Sequence, residues 1–169
     1  EVGDGVIRVR NKEDAHWKRF AHFNEFHKAV KGTPYPLEPS RQGVLHHFPD
    51  YKLLILSLNS CWDIDHRFPS AAGIHPHAVG FALDEIRRNA DCYADCLKFA
   101  VWHHPLDSPT EDRIKDRGFI ARLASAGFCV AFHGHIHTAE KSLFAYDVTE
   151  DGRKLHIIGA GTFGAPSDE

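Results

Sequence analysis

The sequence predicts an α/β fold with partly parallel strand pairing, and three observations predict it. Short apolar runs of strand length alternate with segments of helical periodicity. Their order runs strand, helix, strand, helix, strand and a closing hairpin, and glycine and proline punctuate the junctions. A length of 169 residues, with 43% apolar and 25% charged residues, suits one globular domain with a continuous core.

The elements follow in order. "NKEDAHWKRFAHFNEFHKAV" (11–30) opens with a capping asparagine and acidic residues, and Trp17, Phe20, Phe23, Phe26, His27 and Val30 recur every three or four positions, as in an amphipathic helix. "VLHHF" and "KLLILSLN" bracket Pro49-Asp50 and predict a hairpin whose second strand is fully buried. "SCWDIDHRFPSAAGIHP" (60–76) is a long irregular connection, a common place for function. A helix over about 77–89, with room to run on through Cys96, starts at Pro76 and sets Val79, Leu83 and Ile86 on one face. "LKFAVWHHP" carries a strand ending at His103. "EDRIKDRGFIARLASAG" reads as a helix with a break near Gly118 and a stop at Gly127. "FCVAFHG" is a strand, and "KSLFAYDV" and "KLHIIGAG" close the fold as a hairpin around Glu150-Asp151-Gly152.

A net charge of -3 with scattered basic pairs predicts no polyanion-binding surface from overall charge, and leaves a local patch open. No apolar stretch reaches membrane-spanning length. Cys61, Cys92, Cys96 and Cys129 form no C-x-x-C pair. Cys92 and Cys96 share a face of the expected helix, where two ordinary half-buried thiols are the better reading than a metal or redox pair. A reduced, cytoplasmic setting is the expectation. Histidine is the outlier, with fourteen copies.

Five of those histidines fall at two strand ends, 103–104 and 133–137. Ligands in α/β sheets sit beyond the carboxyl ends of the strands. His135 and His137, one residue apart, project to one side in extended backbone, with Gly134 allowing close approach. His103 approaches from the neighbouring strand. Neutral imidazoles suit Mn, Fe, Zn, Co or Ni and make a poor calcium cage. Ordinary polar residues at strand ends are the plain alternative, and two separate clusters weigh against it.

"VWHHP" (101–105) followed some thirty residues on by "FHGHIH" (132–137) resembles the C-terminal signature of calcineurin-like metallophosphoesterases. The intervening helix, "IIGAGTFG" and the strand "LLILSLNS" agree with that pattern. The resemblance implies the C-terminal part of a four-layer αββα sandwich with a mixed sheet and flanking helices. It implies two divalent transition metals per complete domain and hydrolysis of phosphomono- or phosphodiesters, with a metal-activated hydroxide attacking phosphorus in line. Carried over, His103 and His135 bind one metal and His137 the other. His104 and His133 become supporting or substrate-side groups.

The family's earlier motifs have no counterpart. No Asn-His occurs; Asp14-Ala15-His16 opens a helix instead of ending a strand, and the Gly-Asp of "VGDG" has no strand before it. Asp63, Asp65 and His66 of "DIDH" are candidates for a substrate-facing loop, and equally for a helix cap or local salt link. The expectation is therefore a single partial domain over 1–169, with 1–10 poorly defined, that is inactive alone and holds at most one ion. Its expected partners are a phosphoester substrate, an upstream segment of the same domain and a second copy through an exposed sheet edge. A membrane is not expected, and nucleic acid stays open. Two alternatives remain: a non-catalytic metal-binding or association module with a degenerate phosphoesterase fold, and a mononuclear hydrolase using His103, His135 and His137 with Asp63 or Asp65 as base.

Overall fold

The computed structural model describes residues 18–65, 68–108, 112–136, 140–145 and 154–161. They belong to two compact units, one through Pro39 and one from Ser40. The first unit holds helix α1 (Ala21–Lys31), which ends at Gly32 in the left-handed region, φ 75°, where the Gly32 N–H closes onto Lys28 O. Asn24 Nδ2 donates to Tyr35 O at 2.6 Å, and Phe23 meets the Tyr35 ring edge-on at 4.9 Å, so the chain after the helix folds back on it. The predicted start of this helix, with Asn11, lies outside the described residues, as does Asp14-Ala15-His16.

The second unit is a six-stranded mixed sheet with flanking helices. Its strands are β1 (Gly43–Phe48), β2 (Leu53–Leu58), β3 (Leu97–Trp102), β4 (Phe128–His133), β5 (Glu140–Ala145) and β6 (Lys154–Gly159). The order across the sheet is β1-β2-β3-β4-β6-β5. β2, β3, β4 and β6 run parallel, and an antiparallel strand closes each side. The α/β expectation with parallel pairing and two hairpins holds. The turn of the second hairpin, at 150–152, is outside the described residues.

Helix α2 (Pro76–Arg88) follows the long connection, the short helix α3 (Ala90–Tyr93) follows it, and α4 (Gly118–Ser125) links β3 to β4. Pro76 opens α2 because its missing N–H would have no helical partner there. Ala78, Val79, Ala82 and Ile86 turn inward from α2, and Phe119, Ile120, Leu123 and Ala124 from α4. All of these but Ala78 share one core with Leu54, Leu56, Ala100, Trp102, Ala131 and Leu155 of the sheet. The approach of α2 is close: a Cβ on Gly43 would stand 2.7 Å from the Ala78 carbonyl oxygen.

Three expectations need correction. β2 is not fully buried. Leu54, Leu56 and Leu58 are buried, and the residues between them are only half-buried. Within this unit α2 and α4 cover one face of the sheet, and on the other Ile55, Phe99 and Val130 form one cross-strand row, while Val101 and Leu143 stand 36% and 54% exposed. The helix from Pro76 does not continue to Cys96. It breaks at Asn89, whose side-chain Nδ2 donates to Glu85 O at 2.9 Å, a side-chain bond that competes with further helix. α4 starts only at Gly118, because Asp116 Oδ1 accepts the Gly118 N–H at 2.9 Å and Arg117 is drawn to Leu106 O and Asp107, holding 112–117 irregular.

All four cysteines are free thiols. Cys96 lies beyond α3, its Sγ 3.6 Å from His47 Nε2. Among the described residues no helix is long and apolar enough to cross a membrane.

Candidate metal centre

Parallel pairing brings the carboxyl ends of β2, β3, β4 and β6 to one rim of the sheet. The ladder continues past the strands there: Gly134 N–H donates to His103 O at 3.0 Å and Ala160 N–H to His133 O at 2.7 Å. His103 and His104 leave β3 at this rim, and His135 leaves β4 beside them. Each residue comes from a strand end for a local reason. Pro105 follows His104 and cannot donate to a ladder. Gly134 lets the chain pass close over the His103 ring, whose Nδ1 would lie 3.4 Å from a Cβ at that position.

His135 is one of two described non-glycine residues with positive φ, 69°. That conformation costs a residue with a Cβ on the order of 1 kcal/mol. It turns the ring back toward β3, placing Nδ1 3.2 Å from His103 Nε2 with the rings nearly perpendicular, at 86°. His104 completes the group, and one nitrogen from each of the three rings lies within 4.8 Å of the others.

The contact between His103 and His135 suits a cation. Two nitrogens at Zn–N bonds of about 2.0–2.1 Å and a tetrahedral angle stand roughly 3.3–3.4 Å apart, close to the separation here. Without an ion, one ring must donate an N–H to the other. A divalent ion would take the place of that bond, with His103 and His135 as the residues to hold it and the donating ring carrying its proton on its other nitrogen. Charge is also favourable: His103 is lowered from its ordinary pKa by partial desolvation, then by the neighbouring His135 ring, so it is a neutral donor at neutral pH. His104 is lowered further, to about 4, by burial, then by His103 and His135, with Asp112 opposing the shift.

Beneath the rings lies Ser60, 1% exposed, just past the end of β2. Its Oγ accepts the backbone N–H of His103 and of His104, both at 3.2 Å, and lies 2.9 Å from His104 Nδ1. Asn59 anchors that loop by donating from Nδ2 to Gln42 Oε1 at 2.7 Å and accepting the Cys61 N–H on Oδ1.

The other candidates are placed differently. His133 ends β4 on the helix-covered face, 6% exposed, stacked on Trp102 at 16° with centroids 6.4 Å apart. Its Nδ1–H donates to Gly134 O at 3.1 Å, so it supports the turn that carries His135. Asp65 accepts the Phe68 N–H at 2.9 Å, a local turn within the long connection. Asp63 lies in the same loop, outside the imidazole trio. His66 and His137 lie outside the described residues. Sequence reasoning missed Ser60 and Asp112. Ser60 was findable as the polar residue ending the strand parallel to the one that carries His103 and His104; Asp112 lies in an irregular segment without a motif. No protein-family model matches the chain, and no curated protein sequence matches it, so its candidate site is defined by the three imidazoles and the motif spacing that supplies them.

Proposed function

We propose that this chain is the later part of a metallophosphoesterase-type αββα domain and binds one divalent transition ion through His103 and His135, with His137 as a further ligand. The observation that carries the reading is the 3.2 Å approach of two imidazole nitrogens at the carboxyl rim of a parallel sheet. The sequence adds the spacing of "VWHHP" and "FHGHIH". The reaction class is phosphoester hydrolysis, with the substrate approaching from the rim that carries 103–104 and 134–135.

Bound there, a divalent ion supplies Lewis acidity toward a phosphoryl oxygen. The chain's own residues hold and orient it. Ser60 fixes the backbone of His103 and His104, and Gly134 and His133 fix the turn that carries His135. The described trio contains no carboxylate. A second ion would meet repulsion that neutral ligands do not offset, so one ion per chain is the expected stoichiometry. Turnover by the chain alone is expected to be negligible, with acidic ligands supplied by an upstream segment of the same domain.

A non-catalytic metal-binding module is the second reading, and the all-imidazole composition of the trio favours it. Titration with Zn2+ and Mn2+, followed by assay with an aryl phosphodiester, tests both. One ion bound and hydrolysis restored by the upstream segment supports the first reading. One ion with no hydrolysis under either condition supports the second. Failure of both ions to bind wild-type protein overturns the metal reading itself.

A further inference from the structure

Three imidazoles near one point suggest three ligands, but the hydrogen bonds beneath them set His104 apart. Ser60 Oγ is a hydroxyl, with one proton to give and two lone pairs to fill. Both lone pairs are taken, by the backbone N–H groups of His103 and His104 at 3.2 Å each. Those donors cannot reverse. The third contact of Ser60 Oγ, 2.9 Å to His104 Nδ1, is therefore the one its own proton must make. His104 Nδ1 is then an acceptor, and in a neutral ring the proton stands on Nε2. A metal-binding histidine usually shows the opposite polarity, donating from its remote N–H to a carbonyl or carboxylate and offering the other nitrogen's lone pair to the ion. Among the described residues no carbonyl or carboxylate bonds to His104 Nδ1; a hydroxyl with both lone pairs engaged occupies that place. His103 and His135 differ again, because their close contact joins two nitrogens that a cation can bridge.

We propose that Ser60 locks His104 as the Nε2–H tautomer, so that His104 is not a ligand but a hydrogen-bond donor to an oxyanion, of the phosphate class, held beside the ion bound by His103 and His135. The inference rests on the metal reading above for the identity of the neighbouring ion, and on the Ser60 hydrogen bonds alone for the tautomer. Its chemistry is that of a fixed donor. Two covalently placed amides orient Ser60, Ser60 orients the ring, and the ring delivers one N–H toward the anion without needing to reorganise. Ser60 is accordingly a positioning residue and His104 an anion-contacting one.

Long-range 1H–15N correlation spectra of histidine-labelled, metal-free protein near neutral pH read the tautomer directly. The expected result is a protonated Nε2 and an unprotonated Nδ1 at His104, and Ser60→Ala should mix the two tautomers while Ser60→Thr preserves the wild-type pattern. A protonated Nδ1 in wild-type protein overturns the proposal whatever the protein does with metals. Zn2+ titration then separates ligand from donor. His104→Gln should change the Zn2+ dissociation constant by less than about threefold, whereas His103→Ala and His135→Ala weaken it by tenfold or more, on the scale of lost metal-site groups. Loss of Zn2+ affinity in His104→Gln equal to that in His103→Ala makes His104 a ligand and overturns the proposal. Inorganic phosphate added to the Zn2+-loaded protein should move the His104 Nε2 resonance, and His104→Ala should weaken phosphate binding by roughly tenfold, the scale of one hydrogen bond to a charged group. An unmoved Nε2 resonance at saturating phosphate overturns the donor role. If wild-type protein binds no Zn2+, the metal reading fails by itself, and the phosphate titration of the metal-free protein, read on the same resonance, decides the donor role.

Discussion

His135 Nδ1 stands 3.2 Å from His103 Nε2, and the backbone of His135 is in the left-handed region, φ 69°, where that contact is made. A close ring contact is thus obtained through an unfavourable chain conformation, which persists only where the surrounding structure over-determines a residue. The two contributions separate by substitution.

His135→Ala and His135→Gly both remove the ring, and both should lose Zn2+ affinity by tenfold or more. They differ in stability. Glycine accepts φ 69° without steric cost, so His135→Gly should be more stable than His135→Ala by about 1 kcal/mol in urea denaturation. Equal stabilities would mean that the turn relaxes and that His135 is not held by its neighbours.

Gly159 is a packing requirement rather than a hinge. An added Cβ would press on the Ile136 side chain and stand 2.9 Å from His133 Cε1. Gly159→Ala should destabilise the protein by about 1–3 kcal/mol, the scale of overpacking. Because the crowded atoms sit on either side of His135, Zn2+ affinity should fall with stability. Calorimetric titration beside chemical denaturation checks this, and a destabilised variant with unchanged affinity would argue that the turn is set independently of β6.

The metal-free protein should lose stability in mild acid. His104 titrates near 6.5 in the unfolded chain and at about 4 in the folded one, lowered first by burial and then by His103 and His135. The unfolded chain therefore takes the proton first. The contribution of the neutral ring is whole above about pH 6.5, declines as pH falls toward 4, and declines no further below that value. Urea midpoints measured between these limits should fall for wild-type protein and fall less for His104→Gln. A parallel decline in both would assign the acid sensitivity elsewhere.

Ser60→Ala leaves two backbone N–H groups facing a methyl group in a site that is 1% exposed. Unsatisfied buried donors cost about 1–3 kcal/mol each, so the loss of a partner for both should destabilise the protein by roughly 2–6 kcal/mol in total. Ser60→Thr keeps the hydroxyl and should recover most of that loss. A neutral Ser60→Ala would show that water reaches the two amides.

The sequence by itself determined the elements and the rim. Alternating apolar runs made β1 to β6, Pro76 and Gly127 marked a helix start and stop, and parallel pairing of β2, β3 and β4 sent His103, His104 and His135 to one edge. The element signals are local, set by periodicity and by the φ preferences of proline and glycine, so a linear string carries them, and the strand–helix–strand order implies the parallel pairing. Helix lengths were less legible, because Asn89 and Asp116 stop or delay helices through side-chain bonds that composition does not rank. The exposure of alternate residues along β2 was also beyond it, since a run of leucines and isoleucines reads the same whether one face is covered or two. Only the tertiary structure decided which imidazoles face one another and what each nitrogen can do. Ser60 lies 44 residues from His104, and the polarity of their hydrogen bond depends on two amides that reach Ser60 only when β2 and β3 lie side by side.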